Sequence, residues 1–295
     1  MKNRFMEHVT TSKFFKPGSS VLLAISGGVD SMVLLDLFEK THRAFKVEFK
    51  IAHFNHKQRQ ASDEEEKYFQ ERGAIIGIYE GDKSDEASLR QARYDFFESL
   101  EGIDYIVTAH HADDNAETYL LKLIRNNDGM PTGIKEIRGN IVRPLLPFSK
   151  KEIINYANQN NLKWFEDETN AQNDYTRNKV RNLIIPEIEK LNPSFSTNIN
   201  ETIKENEILE RYLDAKLSPL YERARLAQGV FDTEYIQSLS LEEQHLLLKK
   251  MPFEFKVDAL EKALAKLPVP TTLDLPAGYV VEIKKDAIKF VYFNG

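Results

Sequence analysis

The sequence contains no cysteine. Disulfide scaffolds, cysteine-ligated zinc, iron-sulfur clusters and any reaction that passes through a protein thiolate or persulfide are thereby excluded. Long apolar runs are missing too: none approaches the roughly 18 residues needed to span a bilayer. The opening MKNRFMEHVTTSKFFKPG carries charges but no apolar stretch of signal-peptide type. A soluble, cytoplasmic protein is expected. There is no excess of positive charge: 40 Lys+Arg face 46 Asp+Glu, a formal net charge of -6. That excludes a uniformly basic nucleic-acid coat but leaves room for local basic patches. No internal repeat or low-complexity tract occurs, and the glycosylation-like triplet Asn200-Glu201-Thr202 has no secretory context.

What remains is ample for packed cores. At about 150 residues per domain, 295 residues predict two domains, and 41% of the residues are apolar, 18 of them Phe. Between Ser20 and Ala109, short apolar runs alternate with helical patterns, as in βαβ units around a parallel sheet. Strands are predicted over 21–25, 47–54, 74–79 and 105–109, and helices over 32–40, 63–72 and 87–100; in the last, Leu89, Ala92, Phe96 and Leu100 recur at helical spacing. The fold class is therefore α/β, a doubly wound parallel sheet, over residues 1–194. Residues 126–140 are polar and read as a loop, after which Ser149 caps a helix to about residue 160. A polar helical connector is expected over 195–216. A smaller α+β domain follows over 217–295, with helices at 241–250 and 257–267 and a terminal hairpin or three-stranded meander.

The first strand runs directly into Ser26-Gly27-Gly28-Val29-Asp30-Ser31 and then a helix. A Gly-Gly turn there lets backbone N–H groups approach a phosphate, and the helix N-terminus favours negative charge. The loop lacks the lysine of G-x-x-x-x-G-K-[ST] and the spacing of G-x-G-x-x-G, which argues against γ-phosphate transfer and dinucleotide binding. The bland reading is a strand-to-helix turn with Asp30 or Ser31 as a cap.

The fourth strand leads into Thr108-Ala109-His110-His111-Ala112-Asp113-Asp114-Asn115-Ala116-Glu117. On a helix Asp114 and Glu117 share a face, and two carboxylates together call for a cation, either Mg²⁺ with phosphates or a substrate ammonium. His110 falls at the carboxyl end of a strand, where open α/β sheets place ligands. Asp113 and the remaining histidine also fit an ordinary acidic first turn. Arg90 and Arg93 put two guanidiniums on one helix, suited to phosphate or to a solvated face. His53 and Asn55 share one strand face and His56 the other, with no catalytic role expected.

The string SGGVDS resembles the PP-loop of the ATP pyrophosphatases. Taken with HFNHKQRQASDEEE, LRQAR, TAHHADDNAET, IVRPLL, WFEDETN and RNKVR, the ordered set from about residue 20 to 195 resembles the tRNA(Ile)-lysidine synthetase family. The resemblance implies an ATP-dependent ligase that joins free L-lysine to the wobble cytidine of isoleucine tRNA with a CAU anticodon. It would act through an adenylated cytidine, releasing pyrophosphate and then AMP. Carried over by motif, Ser26, Gly27, Gly28, Val29, Asp30 and Ser31 hold ATP, with Asp30 near Mg²⁺. Asp114 and Glu117 receive lysine, His110 and Arg90 stand by the adenylation centre, and Arg143, Arg177 and Arg181 contact tRNA or phosphate. Trp164 and Asp167 brace the domain, and a second copy of the chain is kept as a partner. Two departures stand out. The family's Arg-Gly after the acidic helix here reads Arg125-Asn126, and the second C-terminal domain of longer members is not in this sequence. The competing readings are a PP-loop tRNA thiolase, disfavoured by the lack of cysteine, a ligase acting on a small metabolite, and an ATP sensor without turnover.

Overall fold

A computed structural model describes residues 1–55, 62–79, 81, 85–125, 131–165, 176–251, 257–267, 269–274 and 279–292. The chain divides into two compact units, Met1–Asn206 and Glu207–Gly295.

In the first unit the order is α1 (Lys2–Thr11), β1 (Ser20–Ala24), α2 (Val29–Phe45), β2 (Glu48–Asn55), α3 (Ser62–Gln70), β3 (Ile75–Ile78), α4 (Glu86–Glu98) and β4 (Tyr105–Val107). Then come α5 (Ala112–Ile124), β5 (Ile137–Arg138), β6 (Ile141–Val142), α6 (Lys150–Gln159), α7 (Thr176–Lys179), a π-helical turn (Val180–Ile184), α8 (Ile185–Leu191) and the start of α9 (Phe195–Ala224). The sheet order is β3-β2-β1-β4-β6-β5, parallel except for β5, which runs antiparallel to β6. Residues 137–142, partly read as loop from sequence, thus close the sheet edge as a hairpin around Gly139, whose φ is +60°.

Alternation along β1 explains the layering. Val21, Leu23 and Ile25 point into a core shared with Phe5 of α1, Leu34 and Phe38 of α2, and Ile153 of α6. Leu22 points the other way, into a second core with Phe54 and Phe97. Both sheet faces are buried, as a doubly wound parallel sheet requires. The order of strand addition reverses at β1, with β2 and β3 laid down on one side of it and β4 on the other. The carboxyl ends of β1 and β4 therefore flank the switch point where such sheets bind ligands. Ser149 begins α6 as expected: its hydroxyl accepts from the Glu152 N–H, and the Glu152 carboxylate accepts from the Ser149 N–H.

The second unit carries the rest of α9, then β7 (Arg225–Ala227), β8 (Val230–Asp232), α10 (Thr233–Gln237), α11 (Leu241–Lys249), α12 (Val257–Leu264), β9 (Thr271–Asp274), β10 (Tyr279–Ile283) and β11 (Ala287–Tyr292). The terminal meander β9-β10-β11 is joined by the β7-β8 hairpin into one antiparallel sheet, order β7-β8-β11-β10-β9. Phe231, Leu247, Leu260 and Ile288 centre its core.

Candidate functional site

The glycine loop leaves β1 and enters α2 through a backbone that only glycine takes easily. Gly27 has φ +93°, and a Cβ there would lie 3.3 Å from the Phe165 ring and 3.5 Å from that of Phe69. Ser31 pins the loop: its hydroxyl accepts from the Gly27 N–H at 3.1 Å and donates to the Gly28 carbonyl at 2.8 Å. The Ser26 hydroxyl reaches Ser31 at 3.3 Å. Phe165 donates its backbone N–H to the Gly27 carbonyl. The first-turn N–H groups of α2 have no intrahelical carbonyl to bond, so an oxyanion beside this turn meets oriented donors.

Beyond β4, the Thr108 hydroxyl lies 2.8 Å from His110 Nδ1. The His111 N–H donates to Asp114 at 2.9 Å, capping α5. Asp113 accepts the Lys150 N–H at 2.7 Å, and the Lys150 ammonium donates to both oxygens of Asp30, at 2.6 and 2.8 Å. The N-termini of α2, α5 and α6 thus converge at the switch point. Burial drives His110 down to about 3, with Arg143, Arg177 and Arg90 adding to the depression against the pull of Asp114. A neutral imidazole results. Burial also works against a charged His111, yet Asp114, Asp113 and Asp30 around it raise its pKa overall; its Nε2 is 3.5 Å from Asp114 and 3.7 Å from Asp30.

Asp114 and Glu117 lie together on the buried face of α5, Glu117 being only 2% exposed. Two guanidiniums meet them. Arg177 Nε donates to Glu117 at 2.9 Å, while Arg181 donates through Nε to Glu117 and through a terminal nitrogen to Asp114 at 3.0 Å. Burial tends to raise the Asp114 pKa, but the two histidines, Arg177 and the capping N–H hold it down at about 2. Arg181, despite burial, is raised by its hydrogen bond and charge contact with Glu117.

Arg177 and Arg181, assigned by resemblance to tRNA or phosphate, here face the acid pair, since two buried carboxylates call for cationic partners. Arg143, assigned likewise, is 3% exposed and donates to the Lys135 carbonyl at 2.7 Å; burial, with Arg90 and Arg138 nearby, lowers its pKa. Arg90 stands over the Tyr94 ring at 5.2 Å, close enough for its charge to act on His110. His53 is structural: its Nδ1 lies 2.9 Å from the Ile25 carbonyl and its ring stacks on Phe69. Trp164 packs against the first core. His56, Asn126 and Asp167 lie outside the described residues. Sequence reasoning missed Lys150 and undervalued His111 and Asp113. The one available signal for Lys150 was a cation in the first turn of a helix, where the macrodipole disfavours it.

A family model for the PP-loop domain matches residues 1–188. A curated tRNA(Ile)-lysidine synthase of Chlorobaculum tepidum is 34% identical over 96% of this chain and 93% of its own length. The chain belongs to the tRNA(Ile)-lysidine synthase family. Another synthase of that name, from Streptococcus sanguinis, is 39% identical over 70% of this chain and 50% of its own length, and one from Enterococcus faecalis 36% identical over 81% and 54%. The chain spans about half the length of these last two lysidine synthases. Among solved structures, the U34-tRNA thiolase NcsA of Methanococcus maripaludis superposes with a TM-score of 0.54 at 17% identity, covering 70% of this chain and 78% of its own; this is a likeness of fold. Among the described residues of this lysidine-synthase-family chain, no group of three or more His, Asp or Glu is arranged to hold a metal. No described helix is long and apolar enough to cross a membrane.

Proposed function

We propose that this chain ligates free L-lysine to the wobble cytidine of a CAU-anticodon isoleucine tRNA, with ATP as the activating substrate. The observation that carries the reading is the acid pair Asp114 and Glu117, buried at the carboxyl end of β4, already holding two cationic groups and adjoining the glycine loop. A buried pair of ionised carboxylates can also accept an ammonium, and the ε-amine of lysine is of that class when protonated.

The loop and the α2 N-terminus would hold the phosphates of ATP while the C2 oxygen of cytosine attacks the α-phosphorus and pyrophosphate leaves. That converts a carbonyl oxygen into a leaving group, so the lysine ε-amine, once its ammonium has given up a proton to solvent, can form the C–N bond as the C2–O bond breaks and AMP departs. His110, neutral near pH 7, can hydrogen-bond at this centre without adding a charge to the neighbouring Arg90 and Arg177. Asp30 stands beside the loop and would give one carboxylate oxygen to a Mg²⁺ carried mainly by the phosphates while the other keeps the Lys150 ammonium. Bound there, Mg²⁺ would neutralise phosphate charge.

Transfer of labelled L-lysine into bulk tRNA with ATP and Mg²⁺ tests the reading. The wild type should incorporate lysine only with ATP. Asp114→Asn and Glu117→Gln should each reduce incorporation by about a hundredfold or more, since each removes one of the two carboxylate charges that would hold the amine, while RNA-dependent pyrophosphate release persists. Pyrophosphate release without lysine transfer by the wild type would keep the adenylation and overturn the amine. No signal in either assay would overturn both.

A further inference from the structure

The SGGVDS loop has no lysine of its own, unlike the G-x-x-x-x-G-K-[ST] loops in which a lysine reaches the phosphates. The structure brings one to it from 120 residues away: the Lys150 ammonium donates to both Asp30 oxygens. We infer that Lys150 is the phosphate-binding cation of this loop, anchored on Asp30 and donating its third proton to an oxygen of the pyrophosphoryl group that the loop receives. The inference rests on the reading that the loop holds ATP.

Three observations support it. An ammonium has three protons, and among the described residues the two hydrogen bonds found for Lys150 Nζ both go to Asp30, while its side chain is 37% exposed. Its backbone is fixed independently of its charge, since its N–H donates to Asp113 and Ser149 caps the same turn. The head group is therefore presented, not merely tolerated, at a helix start where the macrodipole disfavours a cation and favours an anion. Finally, α2 and α6 do not need this pair to hold them together. Lys40 already braces them farther along, with donors to Asp36 at 2.7 Å and Asn160 at 3.0 Å, and Tyr156 donates to Asp36 at 2.7 Å. Lys40 is spent on protein acceptors, whereas Lys150 keeps a proton for a ligand. Asp30 alone would repel a polyphosphate; paired with Lys150 it becomes a mount for the cation that attracts one.

The test is calorimetric titration of the full chain with ATP, with sodium pyrophosphate in metal-free buffer and, in parallel, with bulk tRNA. K150M should weaken pyrophosphate binding about 10- to 100-fold, the usual effect of removing a hydrogen bond to a charged group, while tRNA affinity is unchanged. K150R, which keeps charge and donors, should recover most of the loss. D30N, which releases ammonium protons, should bind pyrophosphate at least as tightly as the wild type. Wild-type affinity in K150M, a loss in D30N equal to that in K150M, or a loss toward tRNA alone would each overturn the role of Lys150. If the wild type bound neither ATP nor pyrophosphate, the reading of the loop would fall, and the lysine's role with it.

Discussion

The two units bury very different side chains. In the second unit, the described buried polar group is a single threonine, Thr233; the rest of its interior is Phe231, Leu247, Leu260, Ile288 and their neighbours. The first unit buries His53, Glu65, His111, Asp114, Glu117 and Arg143. Taking a charge out of water is costly unless it is paired and hydrogen-bonded. The second unit's interior therefore needs only packing to explain it. The first unit's calls for a further reason, and its buried charges gather at the sheet's switch point. Both units rest on apolar cores, and only the first adds a set of buried charges beside its own.

The largest effect that bears on this contrast is Phe231→Ala. The ring is 1% exposed and meets Tyr221 and Phe290 edge-on, with centroids 5.4 and 6.1 Å away. Its loss should cost about 3–5 kcal/mol of stability. Amide hydrogen exchange should show protection falling across β8, β10 and β11 while β1 and β4 keep theirs. Equal loss in β1 would mean that the two interiors melt as one. A smaller effect is expected at the glycine loop. Gly27→Ala imposes a side chain at φ +93° against Phe165 and should cost about 1–3 kcal/mol, read in thermal unfolding. Gly28→Ala is the control, because a Cβ there meets nothing closer than the Ser26 hydroxyl oxygen at 3.8 Å. Equal melting of the two variants would show that the loop is not held by its left-handed turn.

What the sequence made legible follows the range of each interaction. The β1-loop-α2 unit and the α5 acid pair rest on contacts within a few residues, and spacing alone placed Asp114 and Glu117 on one face. The partners of that face did not follow, because Arg177 and Arg181 reach it across some 60 residues, and an isolated RNKVR string fits an RNA surface equally well. Lys150 and Asp30 are 120 apart. Weak local patterns hid other elements. Helix α1 buries only Phe5 and Val9, β5 and β6 have two residues each, and β7 and β8 three; all four strands are too short for alternation to register.

The smallest change tested is the proton count of two adjacent histidines, and it reports on the first unit's electrostatics directly. His110, lowered from 6.5 to about 3, should show imidazole nitrogen shifts that stay constant and neutral from pH 5 to 8 in NMR. His111, raised above 6.5, should be more than half imidazolium at pH 6.5. Their effects on folding are opposite in sign. The unfolded chain takes up a proton at His110 as pH drops through 6.5 and the folded chain does not until about 3, so His110 removes stability across that interval. His111 adds stability that is complete below 6.5 and disappears as pH rises through its elevated folded value. His110→Gln should therefore flatten the acid side of the stability profile, and His111→Gln the alkaline side. A His110 that titrates near 6.5 would mean that neither its burial nor the Arg143, Arg177 and Arg90 charges beside it depress it, and the enclosed, cation-lined centre described for this site would not hold.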